Sequence, residues 1–115
     1  MQEKERNWHL LALHENELQF ANNNIAVLEL EGKKICIARH SNSLYAFAFT
    51  CPHAGGLLAN GHIDPLGNIV CPLHRYKYAL KNGYNISGEG YRLKTWPVER
   101  RSNGIFIGLD KTASD

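Results

Sequence analysis

Cys51-Pro52-His53 and, seventeen residues further on, Cys71-Pro72-Leu73-His74 decide how this chain is read. Each segment brings one cysteine and one histidine, as C-x-H and C-x-x-H. Two soft thiolates and two neutral imidazoles at this spacing suit a metal site closed by two loops. Immediately upstream, Leu44–Phe49 alternates as a strand: Tyr45, Phe47 and Phe49 share one face, Leu44, Ala46 and Ala48 the other. A paired aromatic strand running into Cys51 is a rigid platform for a ligand loop. Between the two segments, His62-Ile63 and Ile69-Val70 are predicted to form a small hairpin around the turn Asp64-Pro65-Leu66-Gly67-Asn68.

Further out, short apolar runs separated by turn residues predict an all-β fold. Candidate strands are Trp8–Leu13, Ile25–Leu30 and Lys34–His40, with a turn at Gly32-Lys33. Within the third, Ile35-Cys36-Ile37-Ala38 is almost continuously apolar, which predicts a strand buried on both faces and makes Cys36 a small core residue. Ser41-Asn42-Ser43 is the next turn. After His74, Tyr76–Leu80 and Tyr84–Ile86 flank Asn82-Gly83, a strong hairpin signal. Ser87-Gly88-Glu89-Gly90 reads as a loop, and the last hairpin is Leu93–Arg100 with Ile105–Leu109 around Asn103-Gly104. Residues 111–115 are expected to fray. No segment carries a convincing helical pattern, and no internal repeat or linker is visible. His9, His14, His40 and His62 lie outside the two loops and are not expected to bind metal.

The 115 residues suffice for one domain with a single modest core. A net charge of +2 gives no reason to expect nucleic-acid binding. The charge is nevertheless unevenly placed: residues 1–31 carry six acids against Lys4 and Arg6, while residues 71–101 carry seven bases against Glu89 and Glu99. The basic half is either a set of solvated strand faces or a docking surface for an acidic partner. Three cysteines, two of them spaced with histidines, argue for a metal site in a reducing compartment rather than a disulfide framework. The charged Met1–Arg6 segment leads into no signal-type apolar region, and no apolar run approaches the roughly 18 residues of a membrane span. A cytoplasmic protein without membrane attachment is expected.

Four donors of two kinds leave alternatives open. A zinc site of two cysteines and two histidines would satisfy tetrahedral coordination, but common zinc modules pair Cys with Cys and His with His. Here each loop supplies one of each, which suits a two-iron cluster with both thiolates on one iron and both imidazoles on the other. The segments C-P-H-A-G-G at 51–56 and C-P-L-H at 71–74 resemble the two cluster loops of the Rieske [2Fe–2S] family. The approach Leu44-Tyr45-Ala46-Phe47 and the closing Leu93-Lys94-Thr95-Trp96-Pro97-Val98 are similar to family sequence outside the loops, so the resemblance spans residues 8–109.

The resemblance implies an antiparallel β-sandwich or barrel base with a small rubredoxin-like cluster-binding subdomain at about residues 50–78, within one Rieske domain over 1–115. It implies one [2Fe–2S] cluster per chain, held by Cys51 and Cys71 on a buried iron and by His53 and His74 on an outer one, with both imidazole rings near solvent. Such a centre is neutral when oxidised, so it is reduced more readily than a cluster held by four cysteines, at about −150 to +300 mV against about −400 mV. The high-potential branch of the family has a disulfide bracing its loops and a serine donating to a sulfide. The matching positions here are Gly56, Leu73 and Tyr76, which predicts a low-potential, ferredoxin-type centre. Tyr78 matches a family tyrosine bonded to a ligand sulfur, although an aromatic core role would also place it there. Arg75 departs from the glycine common after the second histidine. Its charge could favour the reduced cluster, bind a partner carboxylate, or simply face solvent.

A domain of this kind without a second catalytic metal implies an electron carrier, not an enzyme. The first reading is a soluble ferredoxin that docks transiently, taking electrons from a flavin-dependent reductase and passing them to a Rieske-type oxygenase. The second is a fixed small subunit resembling that of NADH-nitrite reductase. The third is a non-redox zinc or protein-binding module.

Overall fold

In the computed structural model, which describes residues 5–53, 55–88 and 90–110, the chain forms three antiparallel sheets. The first pairs β1 (Arg6–Ala12) with β10 (Gly104–Asp110) and β10 with β9 (Val98–Arg101). The second runs β2 (Ile25–Leu30), β3 (Lys33–His40), β4 (Ser43–Ala48) and β8 (Thr95–Trp96). The third joins β5 (His62–Ile63), β6 (Asn68–Val70) and β7 (Lys77–Ala79). The only helical turns among the described residues are two short 3-10 segments, Glu15–Glu17 and Leu58–Asn60.

The hairpins of the second sheet follow from their turn residues. Leu30 pairs with Lys33 across Glu31-Gly32, and His40 with Ser43 across Ser41-Asn42. All four turn residues have positive φ, the condition for type I′ turns, whose twist matches that of the flanking strands. The first turn thus falls one residue earlier than the sequence suggested.

The strand β3 behaves as its apolar run requires. Ile35, Cys36, Ile37 and Ala38 are all fully buried. Ile35 and Ile37 enter a core with Leu44, Ala46, Trp96, Ile105 and Ile107, between the first and second sheets. Cys36 and Ala38 enter a second core with Phe47, Leu58, Ile69, Tyr78, Cys51 and Cys71, beneath the third sheet. Burial pushes the Cys36 thiol up to about 12, so it stays a protonated, inert core group.

Two predicted strands differ, each for a local reason. The long strand expected at Leu93–Arg100 is broken at Pro97, which has no N–H to donate to a ladder. The chain changes sheets there, β8 pairing with β4 and β9 with β10. Tyr84–Ile86 forms only isolated bridges, Tyr84 to Arg92 and Asn85 to Tyr78. The side chains of Asn82 and Asn85 accept from the backbone N–H groups of Tyr84 and Ser87, at 3.0 and 2.8 Å, and these local bonds compete with strand pairing. The tail expected to fray, 111–115, lies outside the described residues.

Side-chain bonds fix the third sheet to the base. Asn23 donates its side-chain amide to the carbonyls of Ala59 and Gly61 at 2.9 and 3.0 Å. Asp64 closes the β5–β6 turn by accepting from the N–H groups of Leu66 and Asn68, each at 3.0 Å. Desolvation works upward on this carboxyl, but hydrogen bonds from Asn68 and Leu66, with Lys77 nearby, hold it below its ordinary value. Gly61 is a tight point between β5 and β6, since a Cβ there would lie 2.1 Å from the Val70 carbonyl oxygen. Gly61→Ala should therefore force β5 from β6, cost about 3 kcal/mol, and lower the midpoint of thermal unfolding measured by circular dichroism.

Candidate metal centre

The two loops are built to one plan. In the first, the Cys51 N–H donates to the Gly56 carbonyl at 2.8 Å; in the second, the Cys71 N–H donates to the Tyr76 carbonyl, also at 2.8 Å. Each loop is therefore a six-residue turn with proline in second place and a left-handed residue in fifth. That fifth residue is Gly55 in the first loop, with φ +75°, and Arg75 in the second, with φ +59°. His74 is left-handed as well, at φ +61°. Only glycine reaches this region without cost, so the second loop holds two side-chain-bearing residues in a conformation worth roughly 1–2 kcal/mol of destabilisation each.

The loops face one another. A Cβ on Gly56 would lie 3.0 Å from Cys71 Sγ and 3.1 Å from Leu73 Cγ, so glycine lets the second loop close down on the first. Gly56 and Leu73, the positions of the bracing disulfide in the high-potential branch, are thus direct neighbours here and joined only by packing. No disulfide joins any of the three cysteines, Cys36, Cys51 and Cys71.

The donor set divides into an inside and an outside. Cys51 and Cys71 are buried, in the second core. Desolvation pushes the Cys71 thiol up, and the Cys51 sulfur beside it adds to the effect, while the Leu73 N–H donating to Cys71 works in the opposite direction. Two neighbouring thiols in such a place become thiolates only when a cation replaces their protons. The His53 and His74 rings meet edge to face with centroids 5.4 Å apart. His53 Nδ1 is buried without a hydrogen-bond partner, the condition of a nitrogen kept for a metal. Two buried thiols with two imidazoles at their edge, one of each from either loop, fit a two-iron cluster with two protein ligands on each iron.

The surroundings of each donor are specific. The Tyr78 hydroxyl lies 3.2 Å from Cys51 Sγ, on a ring that is fully buried. Burial and the adjacent Cys51 sulfur push this hydroxyl above its ordinary value, so it remains a donor. Tyr78 is thus a core aromatic whose hydroxyl reaches the Cys51 sulfur. Cys71 has the Leu73 amide as its own donor. The Tyr76 ring stacks on His53 at 3.9 Å and 12°, and Tyr91 meets the same imidazole edge to face at 5.2 Å. His53 is consequently half-buried, whereas His74 is exposed. The stacked Tyr76 was visible in the sequence only as a missing serine, and Tyr91 gave no signal, since it lies far along the chain from His53. Arg75 is exposed beside His74. His9 and His40 lie away from the loops, against Glu31 and Gly67, and His62 is an exposed strand residue opposite Val70.

Two measurements follow from this geometry. Tyr78→Phe removes a donor to a thiolate that becomes more negative on reduction; the loss of about 1 kcal/mol should lower the reduction potential by about 40 mV in a potentiometric titration. Arg75→Gly places the residue of the first loop at the matching position of the second. It should raise the midpoint of thermal unfolding, corresponding to about 1 kcal/mol.

Comparison with known proteins agrees with the geometry. The profile of the Rieske [2Fe-2S] domain matches residues 7–97. The ferredoxin component of the alkene monooxygenase system of Xanthobacter autotrophicus is 21% identical over 84 residues, 73% of this chain and 69% of that relative. The ferredoxin subunit of 3-phenylpropionate/cinnamic acid dioxygenase of Escherichia coli K12 is 28% identical over 76 residues, 65% of this chain and 72% of the relative. Among solved structures, the ferredoxin of carbazole 1,9a-dioxygenase from Nocardioides aromaticivorans IC177 superposes with a TM-score of 0.71 at 18% identity, covering 93% of this chain and 99% of that one. A ferredoxin in complex with the reduced oxygenase of carbazole 1,9a-dioxygenase gives a TM-score of 0.74 at 21% identity, covering 91% and 96%. No helix of the described residues is long and apolar enough to cross a membrane. The chain belongs to the Rieske [2Fe–2S] family, with one such cluster as its cofactor, and its function is that of a ferredoxin-type electron carrier rather than an enzyme.

Proposed function

We propose that this protein is a single-domain, cytoplasmic carrier that accepts one electron from a flavin-dependent reductase and delivers it to a Rieske-type oxygenase. In this reading Cys51 and Cys71 hold one iron and His53 and His74 the other. The bound cluster supplies a one-electron couple, neutral when oxidised and singly negative when reduced. The chain's own residues do the rest. The second core keeps water from the thiolates, Tyr78 and the Leu73 amide donate to sulfur, and the exposed His74 ring shortens the distance to a partner. The observation that carries the reading is the division of the donors, thiols inside the core and imidazoles at its edge. The choice of acceptor is supported by the relatives, ferredoxin components of a monooxygenase and of a dioxygenase, and by the solved complexes of ferredoxin with oxygenase.

The loop positions favour a low-potential centre, since Gly56 and Leu73 offer no disulfide and Tyr76 no serine hydroxyl. The purified protein should be coloured, hold two irons per chain, and titrate near the lower end of the family range, about −150 mV. A colourless protein with one zinc per chain would end the redox reading. A large subunit that copurifies through gel filtration would favour the fixed small subunit of a nitrite-reductase-like complex. Loss of EPR signal from the reduced protein on mixing with an oxidised Rieske oxygenase, with no loss on mixing with buffer, tests the acceptor.

A further inference from the structure

The two imidazoles offer a partner unequal access. His53 is half-buried, stacked under Tyr76 and edged by Tyr91, while His74 is exposed. Next to His74 stands Arg75, whose left-handed backbone occupies the place that Gly55 fills in the companion loop. Of the six arginines, the other five are engaged within the molecule. Arg6 pairs with Asp110, Arg39 and Arg100 with Glu15, and Arg101 with Glu99, while Arg92 donates to the Asn82 carbonyl. Most of the basic half of the sequence is therefore neutralised or tied down internally. Arg75 alone among them makes no hydrogen bond, ion pair or ring contact among the described residues, although it has the least favourable backbone of the six. Leu73, which is 46% exposed, adds an apolar surface two residues away.

We propose that Arg75 is the recognition residue that seats a carboxylate of an acidic partner protein beside the exposed His74 ring. A planar guanidinium binds a carboxylate through two parallel hydrogen bonds, and a charge-bearing corner with an apolar neighbour orients the encounter as well as speeding it. The occupant is a protein because a carrier meets protein redox partners, and the anionic group of a protein surface is the carboxylate. This inference rests on the electron-carrier function and adds to it the point of contact.

The test uses the cluster-loaded full chain and small one-electron oxidants of opposite charge. Reduced protein gives one electron to hexacyanoferrate(III), forming hexacyanoferrate(II), or one to hexaamminecobalt(III), forming cobalt(II). Stopped-flow rates at low ionic strength are compared for wild type, Arg75→Gln, Arg75→Lys and Lys81→Gln. Lys81 is an exposed cation in the turn next to Leu80, which bonds Gly67 rather than the cluster loops, so it controls for net charge. Arg75→Gln should slow the anionic oxidant by about five- to tenfold and leave the cationic one unchanged or faster. Arg75→Lys should keep the wild-type ratio, and about 0.5 M salt should erase the difference. Equal effects of Arg75→Gln and Lys81→Gln, or none from Arg75→Gln, would overturn the proposal. A second readout involves no turnover: in oxidised protein labelled with nitrogen-15 arginine, redox-inert hexacyanochromate(III) should broaden the Arg75 Nε–H resonance most. Strongest broadening at another arginine would also overturn it. Visible and EPR spectra of each variant check the carrier function separately, whatever the rates show.

Discussion

The strand β3 has no solvent face over its central residues, and the rest of the molecule depends on that. Ile35 and Ile37 look into one core and Cys36 and Ala38 into the other, so a single strand serves both layers. Burial of this kind is the main driving force available to a chain of this size, with each large aliphatic side chain contributing about 1.5–3 kcal/mol. The site inherits its rigidity from the same arrangement. Phe47, on the strand leading to Cys51, packs in the cluster-side core, and Cys51 and Cys71 belong to that core rather than to a loop resting on it.

The unequal exposure of the histidines has a simple origin. The loops share their closing hydrogen bond, their proline and their left-handed fifth residue, but the histidine stands third in one and fourth in the other. One position of offset in a tight turn redirects the side chain. His53 lies back under Tyr76, while His74, itself left-handed, stands clear. An almost repeated backbone therefore presents two different faces.

Much of this was legible from residue type alone, because the features concerned are local. The apolar run 35–38, the alternation at 44–49 and the mixed Cys/His loops each carry their meaning within a few positions. The strand over Leu93–Arg100 was only half legible. The apolar pattern suggests one strand through Pro97, whose missing N–H breaks it, and that the chain moves from one sheet to the other there depends on tertiary packing. The pairing at Tyr84–Ile86 is reduced to bridges, with backbone bonds from Ala79 to Tyr84 and from Ile86 to Lys77, while Asn82 and Asn85 bond locally without disturbing the apolar pattern. At the site, the donors were readable and their covering was not. Tyr76 and Tyr91 reach His53 only because the fold brings distant segments together, and Arg75 could be weighed only once its backbone angle and its lack of an internal partner were known.

The placement of Cys51 and Cys71 within a hydrophobic core bears on how the protein is assembled. Their sulfurs fill space between Phe47, Leu58, Ile69 and Tyr78, so the cluster is a packing element as well as a redox group. The other core, with Ile37, Trp96 and Ile107, involves no ligand and is already closed. One side of the sheet is thus packed around the cluster's own donors, and the opposite side is packed without them.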